Sequence, residues 1–355
     1  MIKSCLPLLG LAAALGGCVS PVPPEPPREL ADAVDARIAR GEIGACCAAA
    51  VNGPMLCRGA DATSIFEVAS VSKTFTALVA ARLWCEGRLD LDAPFTRYLP
   101  EHVLAKEGTD VTVRDLASHC GGFSDDWMGQ AKLYGSETFP FASDEAYFRR
   151  LMGVKPAFAR RKAVRYACTN YILLGLVVER ASGLDLAAAA KKYVFDPLKM
   201  DDTRWKHPAD PSRCVQIYTH GPRPLGTIGD ENARGVSRAI GNAGVFTTLG
   251  DLLKYASDLL ERRTFEPQCY DLLFTPAFEE GRRRRSFGWD MAAGTNPPGW
   301  SAAAVNHSGY TGQYLAIDPV GRKAAVVLTS LKLDDRPGRA AAYEFRREFC
   351  RDLCQ

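Results

Sequence analysis

The pattern of apolar and polar positions divides the chain into strand-forming ends around a helical middle. Residues 29–41 place apolar side chains at helical spacing and stop at Gly41, which predicts a short amphipathic helix. Residues 45–58 alternate apolar and small residues about Asn52-Gly53, the pattern of a tight hairpin. A short strand over 65–69 runs into a helix over 70–86 that Gly87 stops. From about 90 to 285 helical periodicity and long loops dominate, with helices expected at 112–118, 143–152, 169–182 and 249–262. Strands are expected at 285–291, 312–318 and 323–330, then a last helix over 337–353. Strands at both ends imply an α/β (α+β) fold, an antiparallel sheet flanked by helices with a helical subdomain inserted. The sheet part then covers about 29–90 and 285–355, and the helical part about 91–284. There is no internal repeat. The run Arg282 to Arg285 reads as a solvated loop, with contact to an anionic envelope polymer as the sharper alternative.

The first residues do not fit this pattern. Lys3 precedes an apolar stretch from Cys5 to Leu15, and Leu15-Gly16-Gly17-Cys18 follows, so residues 1–17 read as a secretory signal. The stretch is too short to span a membrane comfortably. Leu-Gly-Gly-Cys resembles the lipobox of bacterial lipoproteins, which makes Cys18 the expected lipid anchor; an ordinary signal with a chance cysteine is the alternative. Residues 18–28 then form a lipidated, proline-rich spacer, and residues 29–355 the folded domain. Val19 in place of Asp points to the outer membrane, facing the periplasm. Setting aside Cys5 and Cys18 leaves ten of the twelve cysteines, an even number that suggests disulfides in an oxidising compartment. Buried free thiols are the other reading.

Composition narrows the function classes. The 355 residues are 47% hydrophobic, and 44 Lys plus Arg against 41 Asp plus Glu give a net charge of +3. That balance leaves no footprint for nucleic acid and fits an ordinary soluble enzyme; a monomer acting on a small-molecule or peptide substrate is the expectation. The five histidines at 102, 119, 207, 220 and 307 form no ligand cluster, so no metal is expected. No G-x-S-x-G elbow occurs, and nothing calls for a cofactor.

The chemistry concentrates at Ser70-Val71-Ser72-Lys73, an S-x-x-K at a helix start after a strand. One helical turn separates the two side chains, so they share a face. The helix start supplies N–H donors for a developing oxyanion, and a buried lysine can serve as a base.

The surrounding FEVASVSKTFTAL resembles the nucleophile motif of the serine β-lactamase and penicillin-binding-protein superfamily, nearest its class C and DD-peptidase branch. RLDLDAPFTRYLPE, VTVRDLASHCGGF, FDPLKMDDTRW, GDENA, GNAGVFTTLGDLLKYA and NHSGYTGQYLAIDP match that family's segments in order, over about residues 29 to 350. The resemblance implies a β-lactamase/transpeptidase-like fold with Ser70 as nucleophile, Lys73 as base and Tyr166 as proton relay. It places His307, Ser308 and Gly309 at the substrate's polar end, with the N–H groups of Ser70 and Tyr310 as oxyanion hole. Where the family shows Tyr-Ser-Asn, this chain has Tyr166-Ala167-Cys168, so Cys168 replaces an amide that contacts lysine and substrate. Asn170 is not expected to substitute for it. Asp230-Glu231-Asn232 reads as a loop near the cleft or as helix capping, and Ser124-Asp125-Asp126 as a loop. Cys120 also stands at a family motif position, so Cys120 and Cys168 are either a disulfide pair or two separate buried thiols.

The implied function is acyl-enzyme hydrolysis of D-amino-acid peptides or small esters and amides in the cell envelope, as in a DD-carboxypeptidase. The alternatives are a carboxylesterase or β-lactamase of the same fold, and a weakly catalytic sensor of cell-wall fragments or β-lactams.

Overall fold

The computed structural model describes residues 24–128, 141–218, 221–332 and 336–355. The signal segment, Cys18 and most of the spacer lie outside the described residues. Ten strands are described: β1 (Ile43–Ala50), β2 (Met55–Arg58), β3 (Ile65–Glu67), β4 (Arg204–Trp205), β5 (Val245–Thr248), β6 (Phe278–Glu280), β7 (Arg283–Arg285), β8 (Val305–Ser308), β9 (Gln313–Asp318) and β10 (Lys323–Leu331). The main sheet is five-stranded and antiparallel, in the order β2-β1-β10-β9-β8. The expected hairpin forms, with Cys47 opposite Cys57 and Ala49 opposite Met55, and it turns through Asn52 at φ 57°. A short sheet, β3-β5-β4, stands beside it and leads into the candidate nucleophile.

Both faces of the main sheet are covered, and the period of two along each strand sorts side chains between two cores. Cys47, Ala49, Leu315, Ile317, Val326 and Leu328 face the helical part. Cys46, Ala48, Tyr314, Ala316, Ala325 and Val327 face the terminal helices, where Leu30, Val34, Phe349 and Leu353 close the layer. The terminal helices Arg28–Ala39 and Arg336–Leu353 therefore pack on one face, as their amphipathic patterns require.

Caps fix the helices of the middle. Thr112 and Asp115 form a reciprocal capping box for Val113–Ala117, Ser143 caps Asp144–Met152, and Thr248 caps Leu249–Glu261. The helix Cys168–Ser182 ends at Gly183 in the left-handed conformation. The helix Ser72–Cys85 is buried on nearly all sides, so it runs through the protein's centre and not along its surface. Among the described residues, no helix is long and apolar enough to cross a membrane.

Two expectations are corrected here. The strand expected at 285–291 is displaced: β7 ends at Arg285 and pairs with β6, and only Asp290 bridges onward to Asn306. The four-arginine run is a solvated turn only at its start: Arg282 is exposed in the turn before β7, and Arg283–Arg285 form the strand. β6 supplies backbone partners for Arg283–Arg285, Arg283 Nη1 donates to the Val164 carbonyl at 3.3 Å, and Arg285 turns inward to Asp290 at 3.0 Å. Cross-strand pairing and inward acceptors outweigh the mutual repulsion of neighbouring arginines. Of the expected disulfides one is formed, Cys85–Cys269, joining the end of Ser72–Cys85 to the helix Pro267–Phe274. Cys46, Cys47, Cys57, Cys120, Cys168, Cys214, Cys350 and Cys354 are free thiols.

Candidate active site

The site starts at the end of β3. Ala69 takes a left-handed φ of 46°, unusual for a residue with a Cβ, and turns the chain into a single tight helical turn, Ala69–Val71. Ser70 lies in that turn and Lys73 one turn further, so the spacing read from sequence becomes a contact. Lys73 Nζ donates to Ser70 Oγ at 3.0 Å and to the Asn242 carbonyl at 2.8 Å, and lies 3.7 Å from Cys168 Sγ. Ser72 Oγ accepts the Val245 N–H at 3.0 Å and so ties the helix to β5.

The other expected residues converge. A cleft of about 360 Å³ is lined by Ser70, Tyr166, His307, Ser308, Gly309 and Tyr310, together with Arg285, Asn306 and Arg346. A second cavity continues from Ser70 and Tyr166 past Cys168 to Asp125 and the Asp230–Asn232 loop. Tyr166 is 46% exposed, open to the cleft. Its ring centre lies 5.1 Å from Lys73 Nζ, 4.4 Å from the His119 ring and 6.3 Å from the His307 ring. Gly309 has a packing reason for its identity: a Cβ there would meet Gln313 Oε1 at 2.4 Å and the Val68 carbonyl at 2.8 Å. Only a glycine lets the third motif lie this close to the nucleophile strand.

Burial sets the charge states. Burial opposes a charge on Lys73, but Cys168, Tyr166 and Asp230, when charged, outweigh it and hold the ammonium above the ordinary lysine range. Burial also pushes the Cys168 thiol up to about 12, so at neutral pH that part of the support is absent. Burial first, then Lys73 and Arg285, holds His307 well below its usual value, so the ring is neutral. His307 Nδ1–H donates to the Ser308 carbonyl at 3.0 Å, which leaves Nε2 as an acceptor without a partner among the described residues. His307 therefore stands in the cleft as a neutral ring whose Nε2 can accept a hydrogen bond. His119 is neutral for the same first cause, and its Nδ1 accepts the Ala167 N–H at 3.3 Å.

The Cys120–Cys168 disulfide is not formed. Cys120 Sγ turns to the Ser118 carbonyl at 3.4 Å, while Cys168 opens its helix facing Lys73. Asn170 packs against Gly121 and donates to the Ala167 carbonyl at 3.5 Å, so it does not take over the missing amide. Asp125 does more than occupy a loop: its carboxylate accepts the N–H groups of Cys168 and Thr169, both at 2.9 Å, and anchors the start of that helix. Asp230 is both an N-cap, accepting the Ala233 N–H at 2.8 Å, and a wall of the second cavity. Among the described residues the cluster with metal-ligand spacing is Cys85, Glu266 and Cys269, whose two sulfurs are joined in the disulfide.

Sequence reading missed Glu67, Asn242, Arg285 and Arg346. Asn242 reaches Lys73 through its backbone carbonyl, which no side-chain pattern reveals. Gly175 and Gly241 allow that approach, since a Cβ on Gly241 would lie 2.1 Å from the Tyr171 carbonyl. Arg346 did leave a signal: it falls in phase with Phe349, Cys350 and Leu353 on the buried stripe of the last helix.

A turn-borne serine bound to a buried lysine, between a five-stranded sheet and a helical part, defines a class, and a family model bears it out. The model described as Beta-lactamase matches residues 30–347, and the chain belongs to that family. Among curated relatives, the esterase EstB of Burkholderia gladioli is 36% identical over 175 residues, covering 46% of this chain and 44% of EstB. The D-alanyl-D-alanine-carboxypeptidase/endopeptidase AmpH of Escherichia coli K12 is 24% identical over 221 residues, covering 60% of this chain and 55% of AmpH. The matches thus span about half the length of these curated relatives. The solved structure of EstCE1, a hydrolase with promiscuous acyltransferase activity, superposes with a TM-score of 0.73 at 19% identity, covering 91% of this chain and 98% of EstCE1.

Proposed function

We propose that the protein is a serine hydrolase that works through an acyl-enzyme on Ser70 and acts on D-amino-acid peptides or small esters and amides bearing a free carboxylate. The observation that carries the chemistry is the 3.0 Å contact of Lys73 Nζ with Ser70 Oγ at the floor of an open cleft. Ser70 Oγ attacks the substrate carbonyl, and its proton passes by way of the Tyr166 hydroxyl, beside the Lys73 ammonium, to the departing nitrogen or oxygen. The N–H groups of Ser70 and Tyr310 hold the oxyanion. Water then attacks the Ser70 ester, returning a proton to Ser70 Oγ and releasing the acid.

The substrate's carboxylate is assigned to Arg346, which lines the cleft, is 4% exposed and has Nε and Nη1 without partners among the described residues. A buried, unpaired guanidinium is costly unless an anion joins it. Cys168 supports a second reading, a carboxylesterase, because a thiol cannot replace the amide that orients a peptide. The envelope location and the Cys18 lipid anchor rest on the lipobox-like segment and the spacer.

Replacing Ser70 by Ala should abolish both p-nitrophenyl ester hydrolysis and fluorophosphonate labelling, and Lys73→Ala should slow acylation by roughly a hundredfold or more. Unchanged ester turnover in Ser70→Ala would end the proposal. A panel of nitrocefin, a D-Ala-D-Ala peptide and uncharged esters reads the substrate class, and turnover of uncharged esters alone would overturn the carboxylate assignment.

A further inference from the structure

Glu67 is the last residue of β3, three positions before Ser70, and is 2% exposed. One carboxylate oxygen accepts the Ala69 N–H at 2.9 Å, at the residue whose left-handed φ turns the chain into the nucleophile. The other lies 3.3 Å from Thr311 Oγ1, which also reaches the Glu67 backbone carbonyl at 3.3 Å and Gln313 Oε1 at 2.8 Å. The Gly229 backbone faces the same carboxylate: a Cβ on Gly229 would sit 3.3 Å from it and 2.6 Å from the Thr311 methyl. Thr311 directly follows Tyr310, and Gly229 directly precedes Asp230. One buried acid therefore joins the nucleophile turn, the segment after the third motif and the Asp230 loop, three walls of the site.

We propose that Glu67 is a positioning residue that, through Ala69 and Thr311, sets the spacing of the Ser70 and Tyr310 N–H groups facing the substrate carbonyl. The inference rests on the reading of Ser70 as nucleophile and extends it to a residue that touches neither substrate nor reacting atoms. It also carries a pH dependence. Burial raises the Glu67 carboxyl to about 7; its bonds to Ala69 and Thr311 and the facing Gly229 backbone oppose the rise and the Asp230 charge adds to it. From the facing loop Asp230 is the charged group that acts on Glu67, Phe246 stands opposite on β5, and Lys73 on the following helix is engaged with Ser70 and Asn242. His119 and His307 are held well below their usual range, so neither titrates near neutrality. Ionised, Glu67 accepts the Ala69 N–H and shares the single Thr311 hydroxyl hydrogen with Gln313 Oε1. Protonated, one oxygen becomes a donor and the clamp loses an acceptor, so acylation should rise with pH through about 7.

The test measures single-turnover acylation of the full protein by a p-nitrophenyl ester across neutral pH, for wild type, Glu67→Gln and Asp230→Asn. In wild type the rate should climb about tenfold around a midpoint near 7. Glu67→Gln, which mimics the neutral acid, should lose the midpoint and stay about tenfold slow at high pH with little change in KM. Asp230→Asn keeps a capping side chain and should move the midpoint to lower pH. A merely structural Glu67 would lower Tm in Glu67→Gln and leave the midpoint where it is, and that result overturns the inference. Should Glu67→Gln not fold, an unmoved midpoint in Asp230→Asn overturns it instead. Wild type unlabelled at Ser70 would sink the hydrolase reading and this inference together, whereas labelled wild type with an unmoved midpoint sinks this inference alone.

Discussion

Replacing Arg346 by Met should make the protein more stable and a poorer catalyst on carboxylate-bearing substrates. Arg346 sits on the buried stripe of the last helix, and its guanidinium has Nε and Nη1 unpaired among the described residues. Burial pulls its pKa from 12.5 down to about 10, against a smaller upward pull from Tyr343 and Tyr314. A fall of that size corresponds to roughly 3 kcal/mol by which the folded protein disfavours the charge. For a base whose folded pKa lies below its unfolded one, this penalty is fully present at neutral pH. It fades only as pH rises through about 10. Met replaces the apolar stem and omits the charged head, so Arg346→Met should regain about 1–3 kcal/mol and raise Tm by about 2–4 °C or more. The same change removes a charge-assisted contact, which should lower kcat/KM about 10- to 100-fold for a substrate with a free carboxylate. The methyl ester of that substrate should be turned over equally by both proteins. Thermal melts at neutral pH, paired with kcat/KM on acid and ester, check both halves. A destabilised Arg346→Met, or equal losses on acid and ester, would refute the reasoning.

Asp115 is fully buried and accepts from the Thr112 backbone and hydroxyl, from Arg160, and from Arg161 at 3.2 Å. Asp115→Ala leaves two arginines and a helix cap without their acceptor beside the segment leading to Tyr166, so urea unfolding should show a loss of about 3–5 kcal/mol; a loss under about 1 kcal/mol would contradict the role. With its thiol pushed up to about 12, Cys168 should resist iodoacetamide in the native protein near neutral pH and react only on unfolding. Rapid native alkylation of Cys168, read by mass spectrometry, would show that the thiol is not held neutral.

The sequence alone determined what depends on neighbours within a turn or two. Ser70 and Lys73 touch because three residues bring side chains onto one helical face, whatever the rest of the chain does. The Asn52-Gly53 hairpin, the capped helices and the in-phase terminal helices followed from local periodicity for the same reason. The family motifs also carried Tyr166 and His307 into one cleft, although nothing in their own spacing required it. Only the tertiary structure decided contacts whose partners lie far apart along the chain. That three of the four arginines form a paired strand depended on β6 and Asp290, and whether His307 carries charge depended on its burial beside Lys73 and Arg285. Cysteine count could suggest disulfides but not that Cys85 would meet Cys269 while Cys120 and Cys168 remained apart. Glu67 and Arg346 look unremarkable in the sequence because their roles come from desolvation, and a side chain loses its water only when distant segments close over it.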